Sequence, residues 1–385
     1  MNSKIKVLMV VKGFEIQGIS KVILDYVENI NQQKFQVDVV SGENYADSNV
    51  VRLKTAGGNF WCIPNRDKNI FLYILKLAKI VKSGTYNIVH VHGNSAMIIP
   101  ELIAAVLGGA KIRIAHSHNV SCNHPRLDKW LHPLFNMLYT HALACSDEAG
   151  LWMFKGRPFT VIKNGIPTSK YVFDPKEREK IRHELGITDE FLIGHVGKFN
   201  YQKNQERLVK VLKKIIMQQP KTKVLFVGVG ETQSRIKTLA ESLGLSDYCL
   251  FYGASRQIES LMSAMDIFVF PSHYEGLGIV LIEAQASGMK CIASTNVPEE
   301  ANLTGAVRYI SLDTDDEKWA NAAVELCQHI TTIEKRYQQS VQQCNLIQRK
   351  GYDVRDVISN LELFYEHCLE IEFQQYSYSA NSIRR

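Results

Sequence analysis

Thirteen short apolar runs, rich in valine and isoleucine and spaced widely enough for a helix between neighbours, limit most strongly what this chain can fold into. Seven occupy the first part, at 5–11, 35–40, 59–63, 88–92, 112–116, 142–145 and 160–163. After Asn164-Gly165-Ile166-Pro167 comes a polar, charge-rich stretch through Glu190, and six more runs follow at 191–196, 224–227, 249–252, 267–270, 291–294 and 307–310. Short, nearly continuous apolar runs read as strands buried on both faces. Strands alternating with helices imply parallel sheets with helices on both sides, and ligands bind such sheets beyond the carboxyl ends of the strands. The rhythm predicts an α/β fold with two parallel-sheet domains, a boundary within 164–176, and units at 1–166 and 167–355. The segment 352–373 has helical apolar spacing through Val354, Ile358, Leu361, Phe364, Tyr365 and Cys368, so 356–385 reads as a closing helix with 374–385 as a frayed tail.

With 385 residues and 45% hydrophobic content the chain is long enough for two cores. A net charge of +6 fits anionic substrates or an anionic membrane surface and falls short of the concentrated basic face of a nucleic-acid binder. Eight cysteines stand singly with no zinc spacing, which reads as reduced core residues in a cytosolic protein. No charged-then-apolar leader and no run of membrane-spanning length is visible, so the expectation is a chain neither exported nor membrane-spanning.

The run Phe270-Pro271-Ser272-His273-Tyr274-Glu275-Gly276-Leu277-Gly278, continuing to Glu283, sets two carboxylates eight positions apart across a loop and the helix it opens. Gly276 and Gly278 leave backbone N–H groups unobstructed at a helix start, which attracts phosphate. Glu283 falls inside an apolar helix, where an unpartnered carboxylate is costly, and ribose hydroxyls would serve it. Lys198 and Lys203 follow the strand 191–196 and can converge on a pyrophosphate, although most lysine pairs are merely solvated. Asn204 can cap the next helix or touch ligand. Gly228 begins a short Gly-x-Gly after the strand 224–227, which alone is weak evidence. His116 and His118 end the strand 112–116 on one side, and His90 and His92 end the preceding strand.

Glu275-x7-Glu283 after Pro271-Ser272, Gly197-Lys198-x4-Lys203-Asn204 after a strand, Asn164-Gly165-Ile166 at the half boundary and Glu283-Ala284-x3-Gly288 together resemble the family 4 (group 1) glycosyltransferases. Those are retaining enzymes of GT-B fold, and the likeness is to the bacterial branch that builds capsular and exopolysaccharides. The resemblance implies two Rossmann-like domains facing across a cleft, with acceptor on the first, nucleotide sugar on the second, and a last helix returning to the first domain. It implies metal-independent transfer of a hexose, without cofactor, from a UDP-sugar to a lipid-linked saccharide. Glu275 is then expected at the donor sugar with Gly276, Leu277 and Gly278, and Glu283 at the ribose. Lys198 and Lys203 are expected at the departing diphosphate with Gly197 and Asn204, Gly228 at a tight turn near the donor, and Gly253 and Arg256 at the base. His118 is expected near the donor sugar, and His92 and Asn119 on the acceptor side. Where the family has two glycines after the first strand, Gln17 replaces one. Gly18 alone still permits close backbone approach, and Lys198 stands where the family often has arginine, a point charge in place of a fork.

Between Asp67 and Trp130 eight lysines and arginines stand against three acids, which is read as a side facing an anionic inner membrane, although scattered charges are usually a solvated surface. Two rival readings share the architecture: a nucleotide-sugar 2-epimerase acting without acceptor, and a non-catalytic nucleotide-sugar-binding assembly partner. An NAD-dependent oxidoreductase is disfavoured because the first strand lacks G-x-G-x-x-G.

Overall fold

A computed structural model describes residues 4–15, 18–122, 124–328 and 332–382. The chain divides into two compact units: one runs to Gly165 and resumes at Val354, and the other comprises Ile166–Asp353.

In the first unit β1 (Ile5–Val11), β2 (Phe35–Ser41), β3 (Phe60–Cys62), β4 (Ile88–Gly93), β5 (Ile112–Ser117), β6 (His141–Ala144) and β7 (Thr160–Val161) form one sheet. Its order is β3-β2-β1-β4-β5-β6-β7 and every pairing is parallel, with Val7 opposite Val37 on one side and Ile88 on the other. The second unit repeats the plan with β8 (Phe191–Val196), β9 (Thr222–Val227), β10 (Cys249–Gly253), β11 (Ile267–Phe270), β12 (Lys290–Ser294) and β13 (Val307–Ile310), ordered β10-β9-β8-β11-β12-β13. All thirteen apolar runs are strands, with ends shifted by no more than two residues. Valine and isoleucine favour them because branching at Cβ fits a pleated, covered surface.

Helices pack on both faces of each sheet. Phe268, Leu281, Ile282 and Met265 lie in one core of the second unit, and Leu208, Leu212, Ile215 and Trp319 lie in its other core. Each such fully buried side chain contributes roughly 1.5–3 kcal/mol of apolar transfer. The helix Val354–Ser382 belongs to the first unit and buries Val357, Ile358, Leu361, Tyr365 and Cys368. It continues to Ser382, past the point where the sequence suggested fraying, because no proline or glycine interrupts its backbone hydrogen bonding. The cysteines also need correction: six are buried and none forms a disulfide, but Cys62 is exposed on the edge strand β3 and Cys122 is half-buried. No described helix is long and apolar enough to cross a membrane.

The strand order reverses between β1 and β4 in one sheet and between β8 and β11 in the other. Such switch points open a crevice at the carboxyl ends of the strands, because the helices on either side of them pack on opposite faces. They select which loops hold a ligand.

Candidate active site

At the switch point of the second unit, the loop after β8 meets the loop after β11. Lys203 Nζ donates to Glu275 Oε1 at 2.6 Å, and Gln202 Nε2 donates to Glu275 Oε2 at 3.2 Å. Glu275 is 6% exposed, a buried, ion-paired carboxylate rather than a solvated loop acid. The ammonium also lies 4.6 Å from the centre of the Phe270 ring, the last residue of β11. Gly197 makes this placement feasible, because a Cβ there would crowd the Lys203 stem at 3.1 Å. Lys198, five residues earlier, is exposed.

Asn204 begins the helix Gln205–Gln218 in a left-handed conformation, φ 51°, but makes no side-chain capping bond. Its Nδ2 donates to the Pro271 carbonyl at 3.0 Å, tying the two loops together. Backbone bonding from His273 N to Gln202 O at 2.7 Å does the same. Beneath the loops, His195 on β8 is fully buried. Its Nδ1 meets the Val269 carbonyl at 3.0 Å, and burial holds its pKa down at about 4, opposed by that bond and assisted by nearby Lys203.

The helix Ile279–Ala286 starts at Gly278, whose φ of 80° is left-handed. Leu277 is 3% exposed and its side chain packs in the core. Glu283 is 4% exposed, and the partner its burial demands is in the protein: Tyr171 Oη donates to Glu283 Oε1 at 2.7 Å. Nothing in the sequence pointed to Tyr171, which lies 112 positions away. Gly228 N donates to the Gly253 carbonyl at 2.8 Å, joining the turns after β9 and β10. Gly253 has φ 86° and Arg256 is exposed.

In the first unit, four histidines at the ends of β4 and β5 form a two-by-two block. His90 Nε2 and His116 Nδ1 are 3.0 Å apart, and His92 Nδ1 and His118 Nε2 are 2.9 Å apart. The ring centres of His90 and His92 lie 4.2 Å apart, and those of His116 and His118 lie 4.1 Å apart. The His92–His116 register across the two strands sets this spacing. Tyr365 of the last helix bonds His90 Nδ1 at 2.7 Å. Burial lowers all four pKa values, to about 3 for His90 and His118, so the rings are neutral at ordinary pH. The sequence expectation placed His92, His118 and Asn119 in a site and gave His90 no role there. The structure joins His92 to His118, and Asn119 Oδ1 accepts from Val120 N at 2.8 Å. Gly18 caps the helix Ile19–Asn29 at φ 69° with open space where a Cβ would stand. Gln17 lies outside the described residues.

Two parallel-sheet Rossmann-like domains of this kind match the α/β GT-B architecture. HepE of Anabaena, crystallised with UDP-glucose, superposes with a TM-score of 0.78 over 94% of this chain and 99% of that one, at 19% identity. The family description "Glycosyl transferases group 1" matches residues 177–328, and "Glycosyltransferase Family 4" matches residues 16–170. EpsF of Bacillus subtilis, whose glycosyltransferase name is provisional, is 28% identical over 336 residues, which is 83% of this chain and 87% of EpsF. An Escherichia coli UDP-Gal:alpha-D-GlcNAc-diphosphoundecaprenol alpha-1,3-galactosyltransferase is 25% identical over 318 residues, 76% of this chain and 80% of that protein. The chain is a glycosyltransferase that carries both domains, the Family 4 one over residues 16–170 and the group 1 one over residues 177–328.

Proposed function

We propose that the protein transfers a hexose from a UDP-sugar to a lipid-linked saccharide in polysaccharide assembly, with retained anomeric configuration. The observation that carries this reading is the buried Lys203–Glu275 pair at the switch point of the second unit. A carboxylate fixed by two donors is preorganised to orient sugar hydroxyls, and its lysine is held ready for charge that develops on a leaving diphosphate. Lys198 and the N-terminus of the helix Ile279–Ala286 add positive potential for the same phosphates, so the diphosphate is met without a metal ion. Glu283, oriented by Tyr171, serves the ribose. The acceptor hydroxyl attacks C1 on the face the diphosphate leaves; the C1–O bond to UDP breaks as the new one forms, and a phosphate oxygen takes the hydroxyl proton. In the first unit, His92, Asn119 and the neutral imidazole of His118, at the carboxyl ends of β4 and β5, are that unit's candidate ligand contacts. HepE's complex with UDP-glucose and the E. coli enzyme's UDP-Gal donor and undecaprenol-linked acceptor support these substrate classes.

Membrane contact is part of the same proposal. On the helices Ile70–Gly84 and Pro125–Leu138, Phe71, Leu75, Trp130 and Met137 are exposed among Lys76, Lys79, Lys82, Arg126 and Lys129. Apolar groups set among lysines suit the interface of an anionic bilayer. Co-sedimentation with vesicles is expected to rise with anionic lipid content, and equal binding to neutral vesicles would count against it.

The decisive test is Glu275→Ala. Transfer is expected to fall at least about a hundredfold while calorimetry shows UDP still bound, and unchanged turnover would defeat the assignment. Glu275→Gln, nearly the same shape, guards against a folding defect.

A further inference from the structure

We infer that a groove of about 520 Å³ in the second unit, separate from the Lys203–Glu275 pair, binds a neutral oligosaccharide chain. Of the residues assigned above to the donor, Asn204 alone lines it. Its walls come from the start of the helix Gln205–Gln218, the start of the helix Gln233–Ser242 and the segment after β13.

Charge decides the ligand class. Arg207 lies 2.7 Å from Asp316, and Lys210 lies 2.8 Å from Glu206, which also pairs with Arg235. Three cations share two carboxylates, so the lining is close to neutral, and a phosphate or an acidic glycan would compete by exchange with Glu206 or Asp316 for the same donors. A polyhydroxy ligand needs no such exchange. It finds two acceptors without partners: Gln205 Oε1, on a side chain 1% exposed, and Thr232 Oγ1. Buried polar atoms of this kind are nearly always satisfied, and ligand hydroxyls would satisfy them. The groove also has a flat aromatic wall, since Tyr201 is 70% exposed and stacks on His273 with ring centres 4.3 Å apart and planes 11° apart. An aromatic face beside amides and hydroxyls matches a pyranose ring, which presents C–H groups on its faces and hydroxyls at its rim.

The groove and the chemistry share a loop. Tyr201, Gln202 and Lys203 are consecutive, and Gln205 Nε2 donates to the Lys198 carbonyl at 3.0 Å. A sugar bonded to Gln205 Oε1 would therefore steady the backbone that carries Lys198. This rests on the glycosyltransferase reading above only for the source of the sugar, which would be the chain being extended.

The test is saturation-transfer NMR on the full chain with neutral gluco-, galacto- and N-acetylglucosamine oligosaccharides of increasing length, with inorganic phosphate as the anionic arm. Saturation is expected on at least one neutral series, growing with length. Tyr201→Ala should weaken that binding about tenfold, and Tyr201→Trp should keep it. No saturation on any neutral series, binding of phosphate that competes with the sugar, or sugar binding indifferent to Tyr201→Ala would each overturn the proposal. UDP calorimetry on the same samples separates the two readings: if UDP fails to bind, the transfer reading falls, while the groove is judged on sugar binding alone.

Discussion

Lys203 and Glu275 are buried together, and burial makes each dependent on the other. Their side chains are 17% and 7% exposed. Removing one partner leaves an uncompensated charge in a poorly solvated place, while removing both leaves none. Lys203→Met is therefore expected to lower unfolding free energy by about 3–5 kcal/mol, and Lys203→Met with Glu275→Leu to recover much of the loss. Urea titration of the two single variants and the double variant measures this, and strictly additive effects would show that the pair is not coupled. The two residues were legible in the sequence from loop positions at strand ends, but their contact was not. A spacing of 72 positions carries no signal of which lysine meets which glutamate; the switch between β8 and β11 brings them together. Glu283 shows the opposite limit, since its burial predicted a partner and only the fold could reveal that a tyrosine supplies one.

At the scale of elements, every strand was readable because an apolar run between polar flanks has few other places to go. Loop conformation was less so, and Gly278 shows why it matters. Its φ of 80° turns the chain from β11's loop into the helix Ile279–Ala286, and an added Cβ would stand 3.4 Å from Phe270 and Val297. Space is adequate there; the dihedral is not. Gly278→Ala is expected to cost about 1–2 kcal/mol in thermal or urea unfolding and to weaken UDP binding by re-aiming the helix N-terminus. Unchanged affinity for UDP would detach that helix from the phosphates. The histidine block is likewise a product of elements: the alternation that puts His90 and His92 on one side was in the sequence, but the stacking of two hydrogen-bonded pairs depends on parallel register with β5.

Across the whole molecule, five histidines with depressed pKa values tie stability to acidity. Burial holds His90 and His118 at about 3 and His195 at about 4, with His92 and His116 also well below the usual 6.5. Because the folded values are depressed, the unfolded chain takes up more protons as pH falls through 6.5. Stability present above 6.5 is then lost on acidification toward 4, at about 1.4 kcal/mol per pH unit for each group fully engaged. Unfolding midpoints measured from pH 7.5 to 5 should be level at first and then drop more steeply than one histidine allows, and a flat profile would mean that these rings are open to protons in the folded state.

The last helix has a consequence for synthesis. Tyr365, Leu361 and Cys368 complete the core of a unit whose other residues end at Gly165, yet they leave the ribosome only after all of Ile166–Asp353. Translation therefore delivers the second unit whole while the first still lacks a wall, with Phe35, His90 and the surrounding apolar surface uncovered. The half made first is the half finished last, and a nascent chain stalled before Val354 presents that unfinished surface to whatever chaperone or protease meets it.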